Sequence, residues 1–387
     1  MGKKGLLLSL LLLLFSAGGL MAQTDTEFWF VAPRVSEGHG FDPNVDQYEG
    51  GRKFYLRFAS MSLPASILIE MPANPAFIPI EIDMPANAAH TEDLSDLYDI
   101  IWHPMPNETH GRGLHITSTT PITAYYEVGT YYNPDIFSLK GKNALGTNFY
   151  VPFQNYYRNG NYWPQPFSTI NIVATEDNTV VKIIPSRPVY SGIPTDPFMP
   201  GDTIEVMLNR AETFAAAPDK VFTGLFPRVG QLPANRLAGS KVISNKPIAI
   251  TTSDDSVDSY PETCHDLVGD QIVPVHIIGT EYIAMRGRLS PDMEESLYIT
   301  ATENNTEIYI DGAYQGVINE AESFKFQIIN QTHHIETTKP SYAFHVAGFG
   351  CEMGGAILPA VNFCNGSSQI AFTRSKEGVD YAGVVEK

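Results

Sequence analysis

Three cysteines in 387 residues are too few for a disulfide-built scaffold, so an apolar core must hold this chain together. Basic residues are also short, with 25 Lys and Arg against 43 Asp and Glu and a net charge of −18. An acidic surface of that size repels phosphate backbones and argues against nucleic acid as a partner. Beyond the first two dozen residues no apolar run reaches the length of a membrane-spanning helix, and no long window has helical periodicity. The chain also lacks a Gly-x-Ser-x-Gly elbow, a phosphate loop and a His-Glu-x-x-His helix. These absences lower the odds of an enzyme. A glycosidase needs only two carboxylates from anywhere in the fold, so a carbohydrate-active enzyme remains as a third reading.

What is present favours strands. The chain has 43% apolar residues, with 19 Tyr, 21 Phe, 31 Gly and 28 Pro. That mixture describes short strands punctuated by turns. The first 22 residues stand apart, with Lys3 and Lys4, an apolar run from Leu6 to Phe15, and small residues down to Ala22. They read as a secretory signal peptide, too short to stay as a spanning helix, and export follows. In an exported chain Cys264, Cys351 and Cys364 are disulfide candidates. Cys351–Cys364 closes the smallest loop and is the first choice of the three pairings.

The strands recur as a set. "IVATEDNTVVKII" (Ile172–Ile184) and "ITATENNTEIYI" (Ile299–Ile310) each hold two alternating runs around Ala-Thr-Glu-(Asp/Asn)-Asn-Thr. Asp and Asn accept turn hydrogen bonds and tolerate left-handed angles, so the acids there are turn chemistry. Period two predicts half-buried strands with Ile170, Ile172, Ala174, Val181 and Ile183 on one face. Leu297, Ile299, Ala301, Ile308 and Ile310 do the same in the later copy, and Phe54, Leu56, Phe58, Ile67 and Ile69 in a divergent first copy. An aromatic-led strand opens each copy, after Thr26, Thr147 and Thr280. An Asn-x-Ala turn follows at Asn87, Asn209 and Asn319. A proline-led strand closes the set, with Pro121, Pro247 and Pro340 expected at strand starts, where no ladder bond is lost. Gly/Pro/Asp-rich stretches after it read as connectors.

The expected fold is therefore all-β, with three tandem related β-sandwich-like units of about seven strands. Boundaries fall at 1–22 for the signal peptide, 23–140, 141–275 and 276–366 for the three repeats, and 367–387 for a C-terminal strand and tail. A six-bladed β-propeller-like ring, two four-stranded blades per repeat, is the alternative.

The ordered motifs "EFWFVAP", "ALGTNFYV", "IVATEDNTVVKI", "ISNKPIAI", "CHDLVGDQIVPV" and "GGAILPAVNFCNGS" resemble the N-terminal domain of the IgGFc-binding protein family, from about 26 to 366. The ending of the signal peptide is similar to the Bacteroidota-like secreted branch. The resemblance implies a secreted recognition or adhesion module of the extracellular space or outer cell surface, not an enzyme. It supplies no binding-residue motif.

Two stretches are candidate sites. "QNYYRNGNYWPQPF" sets Tyr156, Tyr157, Tyr162, Trp163 and Phe167 among Asn, Gly and Pro, the composition of a rigid aromatic binding loop. The plainer alternative is that these rings roof onto the neighbouring repeat. "SDDSVDSYPETCHD" carries Asp254, Asp255, Asp258 and Glu262, spaced to converge on Ca2+ but without the glycine-centred pattern of an EF-hand. Otherwise it is a solvated connector. No further cofactor is implied. The leading function is noncovalent recognition of an extracellular protein, glycoprotein or mucin-type glycan through inter-repeat loops. A structural spacer in a surface assembly is the second reading.

Overall fold

The computed structural model describes residues 24–35, 53–129, 134–157, 168–193, 196–218, 236–258 and 265–361. In the first unit these form β1 (Asp25–Val31), β2 (Phe54–Ser60), β3 (Ala65–Glu70), β4 (Ile80–Met84), β5 (Ala89–Asp93), β6 (Thr109–His110), β7 (Gly113–Val128) and β8 (Asp135–Leu139). The second has β9 (Gly146–Tyr150), β10 (Ser168–Ala174), β11 (Thr179–Ile184), β12 (Ile204–Leu208), β13 (Thr213–Ala216), β14 (Lys241–Asp258) and β15 (His265–Ile272). The third has β16 (Glu281–Met285), β17 (Arg288–Leu289), β18 (Ser296–Ala301), β19 (Thr306–Ile310), β20 (Ala313–Ile318), β21 (Ser323–Gln327), β22 (Thr332–Thr337), β23 (Ser341–Gly350) and β24 (Glu352–Ile357).

One pairing scheme serves all three. The opening strand, the first half of the proline-led strand, and the hairpin's second strand and its neighbour make one sheet: β1-β7-β3-β4, β9-β14-β11-β12 and β16-β22-β19-β20. The second half of the proline-led strand carries the other sheet: β8-β7-β2-β5, β15-β14-β10-β13 and β24-β23-β18-β21. The protein is thus all-β with several related β units. The two sheets of a unit close over one core, as in a sandwich, rather than standing as separate blades. Phe30, Ile67 and Ile82 of one sheet meet Phe58, Tyr126 and Phe137 of the other in the first unit.

The prolines correct one expectation. Pro121 and Pro247 lie inside β7 and β14, where the strand passes from one sheet to the other. Ladder pairs with β3 stop at Ser118 and those with β2 begin at Ile122, so the missing N–H still removes nothing. The connectors correct another, since β8, β15 and β24 each return against the proline-led strand as a hairpin.

The repeated turn is structural, as its chemistry requires. Asn178 and Asn305 have φ of 54° and 57°. Thr179 Oγ1 donates to the Glu176 carbonyl at 2.6 Å, and Thr306 Oγ1 to that of Glu303 at 2.8 Å. The Asn-x-Ala turn clasps it from the side. The amide of Asn178 donates to Asn209 Oδ1, and that of Asn305 to Asn319 Oδ1, each at 3.3 Å.

Alternation predicted half-buried strands, but β2, β10 and β18 are buried along both faces. Neighbouring units cover the second face of β10 and of β18. Trp29 and Val31 of β1 pack on Val173 and Ala249 of the second unit, while Tyr298, Tyr342 and Phe344 of the third unit join the second unit's core. The covered faces are polar in sequence, and Asn171 Nδ2 on that of β10 donates to Thr169 Oγ1 at 2.8 Å.

Candidate functional site

The aromatic stretch and the acidic stretch, far apart in sequence, meet at the seam of the second and third units. Gln154 joins them. Its Oε1 accepts from the amides of Tyr156 and Tyr157 at 2.9 and 2.8 Å, and its Nε2 donates to the Tyr157 carbonyl at 3.1 Å and to Asp254 Oδ2. Asp254 is buried within β14 and also pairs with Arg236, whose Nε lies 3.2 Å from Oδ2. Burial pulls the Arg236 guanidinium below its ordinary range, and the Asp254 charge opposes that fall. Gln154, Asp254 and Arg236 thus bring the described residues on either side of three stretches, 158–167, 219–235 and 259–264, close together. Ser168 and Asp254 are direct partners across β10 and β14.

The root of the aromatic loop rests on the third unit. Phe153 stacks on Phe344 at 4.5 Å, and Tyr156 lies 4.8 Å from Tyr298. The Tyr156 hydroxyl donates to the Ser323 carbonyl at 3.2 Å. Lys325 Nζ sits 5.8 and 5.9 Å from the rings of Tyr156 and Tyr157 and pairs with Glu294 at 2.8 Å. Burial raises both tyrosine hydroxyls above their ordinary range. The two rings are partly covered, so they hold the loop's base against the neighbouring unit while keeping one side toward solvent. Of the sequence candidates, Tyr162, Trp163, Phe167, Glu262, Cys264 and Cys364 lie outside the described residues, as does the side chain of Asp258. Asp255 is buried beside Asp254. Cys351 begins the turn between β23 and β24. Among the described residues no group of three or more His, Cys, Asp and Glu is placed to hold a metal ion.

A second polar cluster was not legible as a unit. It forms where β8, β15 and β24, one from each unit, pack together. Asp135 Oδ2 accepts from the Gly269 amide at 3.3 Å. Lys140 Nζ lies 2.7 Å from Asp270 Oδ2, which also accepts from the Ile357 amide at 2.9 Å. Lys140 is thereby tied through Asp270 to the third unit, so one carboxylate knits all three. Asp266 meets Glu352 nearby, and burial first, then Glu352, pushes its carboxyl well above the ordinary range. Asp135 is raised by burial and by Asp270. Acids in all three connectors, Asp135, then Asp266 and Asp270, then Glu352, were the only sequence signal. Asp266 and Asp270 are buried in the junction, Asp135 and Lys140 are half-buried and Glu352 stands at its exposed rim, and the cluster's chemistry is cohesion.

A family model described as IgGFc binding protein matches residues 137–378, more than half the chain and both units that build the aromatic seam. The comparison with curated proteins finds no match. Among the described residues no helix is long and apolar enough to cross a membrane.

Proposed function

Because this chain belongs to the IgGFc-binding protein family, we propose that it is an exported, non-enzymatic module that recognises a protein or glycoprotein partner. Tyr156, Tyr157, Tyr162, Trp163 and Phe167 supply the contact surface. The family is a binding-type family and is typically extracellular, which supports the coarse reading. The observation that carries the finer one is the root of the aromatic loop. Gln154 fixes its first two residues by three backbone contacts, and Phe153 and Tyr156 pin it to the third unit. A loop held so firmly at its base presents rings at little entropic cost, which favours binding. Immunoglobulin is not implied as the partner.

Asp254, Asp255, Asp258 and Glu262, in the acidic stretch that begins beside that root, are where a Ca2+ requirement would act. The test is an array of glycans and host glycoproteins probed with residues 23–387, with and without Ca2+, for the wild type and Trp163→Ala. Saturable binding lost in the variant supports the reading. Binding that needs Ca2+ yet survives the variant moves the site to the acidic stretch. Silence under every condition favours the spacer.

A further inference from the structure

Among the described residues each unit ends its first sheet with the same edge strand, β4, β12 and β20, paired on one side only. An edge strand presents free N–H and C=O groups, and outward carboxylates or lysines normally guard it against another chain. β4 carries Glu81 and Asp83 outward, and Ser66 Oγ donates to Asp83 Oδ1 at 2.6 Å. β12 carries Glu205, paired with Lys182 at 3.1 Å. β20 reads AYQGVI and has no charged residue. Its Tyr314 and Val317 are 58% and 53% exposed.

The face beside this unguarded edge is ordered in stripes. Val317 stands opposite Glu307, and Tyr314 packs on Tyr309 at 5.6 Å. Next come Glu336 on β22 and Glu281 on β16, with His334 between them at 3.8 and 2.9 Å. The far margin is apolar again, with Ile283 and Met285 at 50% and 60% exposure. No Lys or Arg occupies an outward position of these four strands.

We propose that β20 and this face dock a protein partner contributing an extended cationic strand. Its backbone continues the sheet past β20, its apolar side chains cover Tyr314 and Val317, and its long basic side chains reach across β20 to Glu307, opposite Val317. A second copy fits poorly, because a chain of net charge −18 would set like charge against Glu307. The proposal rests on the protein-binding reading but names a surface separate from the aromatic loop.

The test uses the full chain and two labelled synthetic peptides, alternating Lys-Val and alternating Glu-Val. The Lys-Val peptide should bind, more weakly as salt rises, and hydrogen exchange of residues 313–318 should slow. Val317→Lys and Glu307→Lys should each weaken it at least tenfold, whereas Glu205→Lys on the guarded β12 edge should leave it unchanged. Equal binding to Val317→Lys, equal binding of the Glu-Val peptide, or no binding at all would overturn the proposal. Exchange protection of β20 without peptide, lost on deleting residues 362–387, would also overturn it and give the edge to the chain's own tail. Trp163→Ala, run alongside, should bind the peptide as the wild type does, so failure here and failure of the aromatic loop are read separately.

Discussion

His103 is a buried imidazole at the seam of the first two units, its ring edge-on to His110 at 5.0 Å. His110 belongs to β6, which leaves the first unit to pair with β13 of the second. Burial, then the nearby His110, lowers His103 to about 3. A histidine depressed in the folded state costs stability as pH falls, because the unfolded chain takes up a proton near 6.5 that the folded chain refuses. Stability should drop by about 4 kcal/mol between neutrality and the folded value. Chemical denaturation across pH 7 to 4 checks this, and His103→Gln should flatten the slope. Arg57 and Glu127 form a buried pair, with Arg57 Nη2 2.9 Å from Glu127 Oε1. Glu127→Ala leaves a buried guanidinium without its carboxylate and should cost about 3–5 kcal/mol, read as a lowered denaturation midpoint. Neither residue announced itself in the sequence. Arg57 sits where alternation placed a solvent-facing position, and only the covering of β2's second face makes it a buried charge. His333 and His334 were the opposite case. Adjacent residues of a strand face opposite ways, and His333 is buried against Asp311 while His334 faces out to Glu281.

At the scale of elements, the turns were legible because their chemistry is local. Asn209 and Asn319 make the same clasp at the same distance in different units. Asn209→Ala and Asn319→Ala should therefore each cost about 0.5–1 kcal/mol and match within error; a large difference would break the equivalence of the repeats. The inward residues of the repeated hairpins were legible for the same reason, and Leu297, Ile299, Ile308 and Ile310 share one core. The hairpins formed by β8, β15 and β24 were not. Their Gly, Pro and Asp content reads as solvated connector, and only contact across units turns the acids inward. The Asp266 carboxyl is raised in the fold, so it favours the folded state at low pH and loses that advantage as pH rises through its folded value. Asp266→Asn cannot ionise. It should gain steadily on the wild type from about pH 5 to 9 in paired thermal melts.

At the scale of the molecule, the three units are fused rather than strung. The second unit's core runs through Phe153, Val268 and Ile272 into Tyr342, Phe344 and Met353 of the third. A spacer of independent beads would melt in steps. This chain should unfold its second and third units in one cooperative transition, and a fragment stopping before residue 276 should fail to fold alone. Calorimetry of the two proteins checks both. The fusion also explains which part of the candidate site the sequence could give. Aromatic composition marked the loop, but nothing local joined Gln154 to Asp254 or set Tyr156 on Tyr298, because those contacts exist only once the seam has closed. The most direct measurement of the central claim is the affinity of residues 23–387 for the strongest protein hit of the array, beside Trp163→Ala and Tyr156→Ala at equal thermal stability. The account predicts at least a tenfold loss in each; unchanged affinity in both would contradict it.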